Sequence, residues 1–484
     1  MNYKMVVSMT GLILRLEAAL LVLPTVIALI YRESTIVSFL ITIGITLGIG
    51  IVIKLLCKTD NSIVYAKDGF VIVTLSWLCL SAFGALPFFI SGEIPSYVDA
   101  FFETVSGFTT TGASILKDVE VLSKSIQFWR SFTHWIGGMG IIVLVMAIFP
   151  TSSGRSMHIM RAEMPGPIVG KLVPRVKNTA KILYLIYIAL TLMQIVLLTL
   201  GDMNLVESIV HSFGTAGTGG FGIMSDSIGS YSAYSQWVIA IFMLIFGINF
   251  NLFYLILIGR VKNVLKSEEL HAYIGIVVFS IAAICMNVYH MYSGFSEALR
   301  HTTFQVSSIM TTTGFATTDF NTWPSFSKAI LLVLMFIGGC AGSTAGGLKV
   351  SRIVLIIKII ANNIRKVLNP RAVGSVRFEG KMLDETTRRG ISNYLSLYFV
   401  LFFLMFLVVS LDRFDFETNF SAVAACFNNI GPGFSVVGPT GSFADYSVLS
   451  KFTLSAAMLL GRLELYPLLI MFLPTTWRRA KNVV

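Results

Sequence analysis

The chain has 484 residues, of which 55% are hydrophobic and 13% charged, and its mean hydropathy is +0.79. That balance excludes a soluble globular domain and marks an integral membrane protein. The formal net charge of +11 comes from basic residues beside apolar runs, not from a soluble basic domain, so it reads as membrane topology and no nucleic-acid partner is expected.

In chain order, apolar runs of about 20 residues, enough to cross a hydrocarbon layer of about 30 Å, centre on 11–31, 36–57, 70–91, 126–149, 182–200, 236–259, 272–292, 326–360, 391–411 and 448–473. They predict roughly ten spans in contact with membrane lipid. Arg15 and Glu17 interrupt the first run and no small-x-small cleavage site follows, so it is expected to be retained, with both side chains paired to neighbours or at a subunit boundary. Cys57, Cys79, Cys285, Cys340 and Cys426 lie in or beside apolar runs without paired spacing, which predicts buried thiols and neither a disulfide framework nor a zinc site. Arg155, Arg161, Lys171, Arg175, Lys177 and Lys181 form one basic block. Arg352, Lys358, Arg365, Lys366, Arg371, Arg377, Lys381, Arg388 and Arg389 form another. The positive-inside rule assigns both to the cytoplasm, and an even span count then puts both termini there, consistent with Arg478, Arg479 and Lys481.

The connections on the other side share a plan. After the third run, Ser96 and Asp99 stand in capping-box spacing before a helix too short to span, which ends at Thr109-Thr110-Thr111-Gly112. Asn204 and Glu207 start a second such helix, which ends at Thr218-Gly219-Gly220-Phe221 or, in the other register, at Thr215-Ala216-Gly217. A third ends at Thr311-Thr312-Thr313-Gly314-Phe315 and a fourth at Gly431-Pro432-Gly433-Phe434. Gly112, Gly220, Gly314 and Gly433 recur about every 100 residues, with Phe102, Phe304 and Val423 each ten residues earlier setting the register. A half-helix that stops midway aims its partial negative charge into the membrane, which attracts cations. The loop cores contain no carboxylate, so coordination by backbone carbonyls is expected, as suits a monovalent ion.

The eighth run is interrupted by GGCAGSTAGGLKVSR at 338–352. Ser343 and Thr344 among Gly342, Gly346 and Gly347 disfavour continuous helix, so this stretch is either an irregular loop lining an aqueous path or a glycine-rich packing surface. Lys349 either sets a positive potential at the inner mouth or snorkels to the surface. Arg462 lies within the last span, where a cation needs water or a partner. Glu464, two residues on, faces another side of a helix. Asp99, Glu103, Asp202, Glu207, Asp319, Asp412 and Asp415 lie toward the outer face as concentrators of cations, helix caps or supports. His134, His158, His211, His271, His290 and His301 fall into no ligand spacing. No nucleophile-elbow or phosphate-loop motif is present either, so no enzyme activity is expected.

Together TTTGAS, GTGGFG, TTTGFATTDF, NNIGPGFS and GGCAGSTAGGLKVSR resemble the Trk/Ktr/HKT superfamily of potassium transporters, in particular its TrkH-like bacterial subunits. The resemblance implies an all-α integral membrane protein with fourfold pseudo-symmetric span–pore helix–filter loop–span units around a central pore. Two N-terminal transmembrane helices (1–60) precede units at 61–165, 166–262, 263–370 and 371–484, the third with a broken second span. It implies a potassium-binding filter at Thr110, Thr111 and Gly112; Thr218, Gly219 and Gly220; Thr312, Thr313 and Gly314; and Ile430, Gly431, Pro432 and Gly433. The implied gate comprises Gly338, Gly339, Gly342, Ser343, Thr344, Ala345, Gly346, Gly347, Lys349 and Arg462. None of the loops reproduces the potassium-channel sequence TVGYG, and Gly431-Pro432-Gly433 departs most. The family further implies potassium uptake across the bacterial inner membrane, a homodimer and a peripheral cytoplasmic TrkA-like regulatory protein. No cofactor is expected in this chain, any nucleotide acting through that partner. The alternative is an alternating-access symporter coupled to protons or sodium, for which Glu464 is the candidate coupling site.

Overall fold

Apolar runs long enough to cross a membrane become uninterrupted helix in only part of the chain. In a computed structural model that describes residues 1–57, 66–140, 176–369 and 375–477, six helices have the length and composition of a span: Tyr3–Tyr31, Ile36–Leu56, Lys67–Ser91, Ala180–Thr199, Glu268–Met291 and Glu385–Val409. Leu29, Ile30, Val37, Leu40, Val278, Phe279, Phe403 and Leu407 are exposed along them, as expected for faces that meet lipid in a multi-pass membrane protein. The described residues are otherwise helical or irregular apart from one antiparallel hairpin, Arg377–Phe378 with Lys381–Met382.

The remaining expected spans are broken, and not only in the third unit. Ala233–Phe246 and Phe250–Leu257 meet at a 91° bend. Ser325–Ile337 and Val350–Leu368 are separated by the 338–349 loop, and Val448–Arg462 and Tyr466–Phe472 by a turn in which Glu464 and Leu465 take positive φ. The helix Lys124–Gly138 is followed by Gly140 at φ 79°, and the rest of its expected run lies outside the described residues. Backbone freed at one break pairs with another: Cys340 donates its N–H to Gly247 O at 3.0 Å, and Phe250 donates to Gly342 O at 3.0 Å. Such mutual pairing is what irregular backbone at membrane depth requires.

Four short helices lie inside the bundle: Tyr97–Phe108, Leu205–Gly217, Phe295–Met310 and Phe416–Phe427. Their starts follow capping chemistry. Ser96 accepts from Asp99 N–H, Asn204 and Glu207 form a complete capping box, Asp415 accepts from Thr418 N–H, and Glu297 accepts from Ser293 N–H. Their C-terminal turns are almost entirely buried, which carries their negative poles to the middle of the protein.

The N-terminal pair of spans is tied to the first of these units through Glu33, whose carboxylate accepts the N–H groups of Lys124 at 2.7 Å and Ser125 at 3.1 Å. It thereby caps the helix Lys124–Gly138, which has no side-chain cap from its own N-cap Ser123. Arg155, Arg161, Lys171, Arg175, Arg371, Arg478, Arg479 and Lys481 lie outside the described residues. Replacing Glu33 by Ala is expected to cost about 1–2 kcal/mol of stability, read as a lower thermal midpoint in detergent; an unchanged midpoint would count against this cap as a fastening of the N-terminal spans.

Candidate functional site

The C-terminal ends of the four short helices converge on one backbone conformation. A residue in the left-handed region is followed two positions later by a glycine at positive φ: Thr110 and Gly112, Thr218 and Gly220, Thr312 and Gly314, Asn429 and Gly431. The intervening residue donates its N–H back five positions in every case: Thr111 to Ser106 O, Gly219 to Gly214 O, Thr313 to Ser308 O and Ile430 to Ala425 O, at 2.8–2.9 Å. This closes each helix with a six-to-one bond. Left-handed threonine costs about 1–2 kcal/mol relative to a right-handed conformation, so three such threonines at one level mark an over-determined site.

The four loops meet in a closed ring. A Cβ on Gly112 would strike Gly219 O, one on Gly220 would strike Thr313 O, and one on Gly314 would strike Ile430 O. One on Gly431 would meet Thr111 O at 2.8 Å, which returns to the first loop. The layer above repeats the cycle through hydrogen bonds: Ser225 N–H to Glu120 Oε1 (2.9 Å), Ile228 N–H to Ala316 O (2.9 Å), Ser435 N–H to Asn321 Oδ1 (2.9 Å) and Phe443 N–H to Ser114 O (2.8 Å). An outer cavity of about 110 Å³ opens onto all four ring glycines.

The structure brings all four expected segments together and corrects one register. Gly431, not Gly433, occupies the position of Gly112, Gly220 and Gly314; Gly433 packs against Ser421 and donates its N–H to Val437 O at 2.7 Å. Asn429 therefore takes the place of Thr110, and Pro432 stands one residue past the ring, where the loss of a donor breaks none of the six-to-one bonds. The second loop uses Thr218-Gly219-Gly220; Thr215, Ala216 and Gly217 belong to the helix.

Two side chains brace the loops from behind: His134, which has no signal in the sequence, and Glu103, one of the acidic residues expected as concentrators of cations, caps or supports. His134 is fully buried, with Nδ1 2.7 Å from Gly107 O and Nε2 3.3 Å from Phe221 N. A backbone N–H at Nε2 requires an acceptor there, so the neutral ring donates from Nδ1 and ties the first short helix to the second loop. Its imidazole fills the place a side chain on Gly219 would need, so glycine stands where the other loops carry Thr111, Thr313 and Ile430. Glu103 and Arg130 form a buried ion pair at 2.8 Å. Glu103 also accepts from Ser114 Oγ and Ile115 N–H, while Arg130 lies over the Phe221 ring at 4.0 Å and donates to Gly222 O. Glu103 is thus a brace behind two loops. Asp99 pairs with Lys451; Glu207, Asp319 and Asp415 accept local N–H groups, and Asp202 and Asp412 reach across to the N–H groups of Ser232 and Ser447 at the starts of later helices, so the outer acidic residues serve as caps and supports.

Beneath the ring, the 338–349 loop runs across the bundle. Gly346 donates its N–H to Thr312 Oγ1 at 2.6 Å, and a Cβ there would strike Asn428 O, so the loop touches the third and fourth loop bases together. Thr344 and Ala345 are fully buried. Gly338, Gly342 and Gly347 have positive φ, and Gly339 packs on Ala345. Arg462 donates to Thr344 O at 2.8 Å and to Gly138 O at 2.7 Å, with Gly137 O as a further acceptor. Two of these carbonyls end the helix Lys124–Gly138, so its C-terminal dipole stands in for a carboxylate partner. Lys349 is buried and donates to Ala345 O, so it does not snorkel. Glu464 pairs with Arg352, which leaves the candidate coupling carboxylate engaged. A cavity of about 50 Å³ beside the 338–349 loop is lined by Gly138, Ser343, Gly346, Lys349 and Arg462, among others.

Removing the His134 imidazole would leave the Phe221 N–H buried and unpaired and take one donor from the Gly107 carbonyl, which keeps the N–H of Thr110. The substitution His134→Ala is expected to destabilise by about 1–3 kcal/mol, lowering the thermal midpoint in detergent together with ion flux. Normal flux and stability would remove His134 as a support.

A family model described as "TrkH: Cation transport protein" matches residues 36–277 and 272–478. The Trk system potassium uptake protein TrkH of Escherichia coli K12 is 38% identical over 99% of this chain and 100% of its own length. TrkG of the same organism is 35% identical over 99% of both chains. The crystal structure of the potassium transporter TrkH from Vibrio parahaemolyticus superposes with a TM-score of 0.89 at 36% identity, covering 99% of this chain and 100% of that one. With matches across both halves and over essentially its whole length, the chain belongs to the TrkH family of cation transport proteins.

Proposed function

We propose that this chain carries potassium into a bacterial cell across the inner membrane, through a filter made by the four glycine loops and past a gate made by the 338–349 loop. The observation that carries the reading is the closed ring in which each loop's carbonyl abuts the next loop's glycine. Peptide oxygens at Thr111, Gly219, Thr313 and Ile430, with the flanking carbonyls of Thr110, Thr218, Thr312 and the ring glycines, replace the water an alkali ion sheds. The negative poles of four half-helices hold the cation without a formal charge. Names borne by full-length relatives, Trk system potassium uptake protein among them, support potassium as the ion.

Below the filter the glycine-rich loop closes the path. Arg462 pins it through Thr344 O and sets a positive barrier under the ring. Conduction requires the loop to leave Thr312 and Asn428, a motion that its glycines permit at low steric cost. The four units at 61–165, 166–262, 263–370 and 371–484 follow a 1–60 extension. Both termini and the basic helix ends bearing Arg365, Lys366, Arg388 and Arg389 face the cytoplasm by the positive-inside rule. The working assembly is a homodimer with a peripheral, nucleotide-binding TrkA-like subunit. "Trk system" in the relatives' names is consistent with a multi-component transporter.

Potassium and sodium flux into proteoliposomes tests both parts. In Gly314→Ser a side chain is forced onto Ile430 O at a φ of 87°, so the potassium-over-sodium preference is expected to fall several-fold; an unchanged preference would refute the filter. Arg462→Ala frees Thr344 O and is expected to raise partner-free flux by about tenfold, the scale of one charge-assisted hydrogen bond. Unchanged flux would remove the barrier role.

A further inference from the structure

We propose that Glu269 is a positioning residue that latches the 338–349 loop across the pathway, and that the hairpin Arg377–Phe378 with Lys381–Met382 is the handle through which the latch is moved. The proposal rests on reading that loop as a gate. Glu269 stands in the first turn of the helix Glu268–Val288 and is 6% exposed. A single carboxylate oxygen, Oε1, accepts the N–H of Ala341 at 2.7 Å and that of Ser351 at 3.1 Å. Ala341 belongs to the loop, and Ser351 to the first turn of the helix that leaves it, Val350–Leu368. One charge therefore clasps both ends of the irregular segment. The loop's other holds include backbone and hydroxyl contacts to the 246–250 bend, to Thr312 and to Phe336 O, the Gly339 carbonyl's bond from Val350 N–H, and carbonyl contacts to Arg462, Arg352 and Lys349. Displacing the loop while Glu269 stays in place strips two buried N–H groups of a charged acceptor, which is costly in a low-dielectric interior.

The clasp continues to the far side of its own helix. Glu269 donates its backbone N–H to Glu379 Oε1 at 3.2 Å, and Ser267 Oγ donates to the same oxygen at 2.9 Å. Glu379 and Gly380 form the two-residue turn of the hairpin, both at positive φ, with Phe378 opposite Lys381. That is the tight-turn geometry that fixes where the first turn residue points. Lys358, from the helix that leaves the loop, pairs with Glu268 and donates to Arg377 O at 2.9 Å. Hairpin, helix start and loop exit are thereby fastened as one cluster. A pull on the hairpin shifts the helix start through Glu379, and Glu269 carries that shift to Ala341.

The test is rubidium flux into proteoliposomes holding the full chain without any partner, compared among wild type, Glu269→Ala, Glu269→Gln, Glu379→Ala and a variant lacking 341–346. Glu269→Ala is expected to raise flux by about tenfold with the potassium-over-sodium preference unchanged. Glu269→Gln, which keeps an acceptor but no charge, falls between it and wild type, and Glu379→Ala rises less than Glu269→Ala. A brace with only a structural role would lose flux or selectivity when removed, so a fall or no change in Glu269→Ala overturns the latch. If the 341–346 deletion raises flux while Glu269→Ala does not, the gate stands and the latch fails. If the deletion leaves flux unchanged, the gate reading fails and takes the latch with it. A rise in Glu269→Ala with none in Glu379→Ala overturns the hairpin's part.

Discussion

The constraint on which this structure depends is the satisfaction of backbone polar groups where water is absent. A helix meets it alone, but the four loops, the bends and the 338–349 segment do not, and each must find its partners in another part of the chain. The solutions are mutual. The 247–249 bend and the 338–349 loop exchange hydrogen bonds through Cys340 and Phe250, and Arg462 covers the carbonyls left at the end of Lys124–Gly138. Each irregular segment therefore exists because the others do, and the ring closes only when all four loops are present.

The same constraint explains why the central site is neutral. A fixed carboxylate on the axis would need a partner in a dry interior, and the acidic residues nearby are already spent on such partners: Glu103 on Arg130, Ser114 and Ile115, Asp99 on Lys451, Glu464 on Arg352. Helix poles and carbonyl dipoles supply negative potential with no such liability. The left-handed threonines beneath the ring glycines are held by six-to-one helix closures rather than by their own preference.

Much of this was legible in the sequence, for a physical reason. Glycines at about 100-residue intervals after short apolar stretches are the residues that left-handed backbone demands, so the loops could be located before any coordinates. In the fourth loop Gly431 and Gly433 flank a proline and spacing alone cannot separate them; only φ and the contact with Thr111 O distinguish the ring member. Asn429 is hidden for the same reason, since its equivalence to Thr110 follows from that register. His134 and Glu269 left no pattern because their partners are backbone groups, which carry no side-chain signature. The breaks at 247–249 and 463–465 lie in runs that stay apolar on average over the length of a span although Asn249, Arg462 and Glu464 interrupt them, so average hydropathy alone does not reveal them.

If the 338–349 loop is the gate proposed above, the side chains that hold it determine how the pathway is closed and how it responds. Holds toward the ring are uncharged, through Thr312 and Asn428, and can be remade without desolvating a charge. Charged holds lie on the other side, where Arg462, Lys349 and Arg352 donate to the carbonyls of Thr344, Ala345 and Leu348, and Glu269 accepts the N–H groups of Ala341 and Ser351. Arg462 and Glu269, the two that reach the loop from outside its own span, are rooted in different helices. Relative movement of those helices changes both grips together while the ring above, closed by its own belt of hydrogen bonds, keeps its shape. Under the function proposed above, selection of the ion and control of its passage are then set by separate parts of one fold.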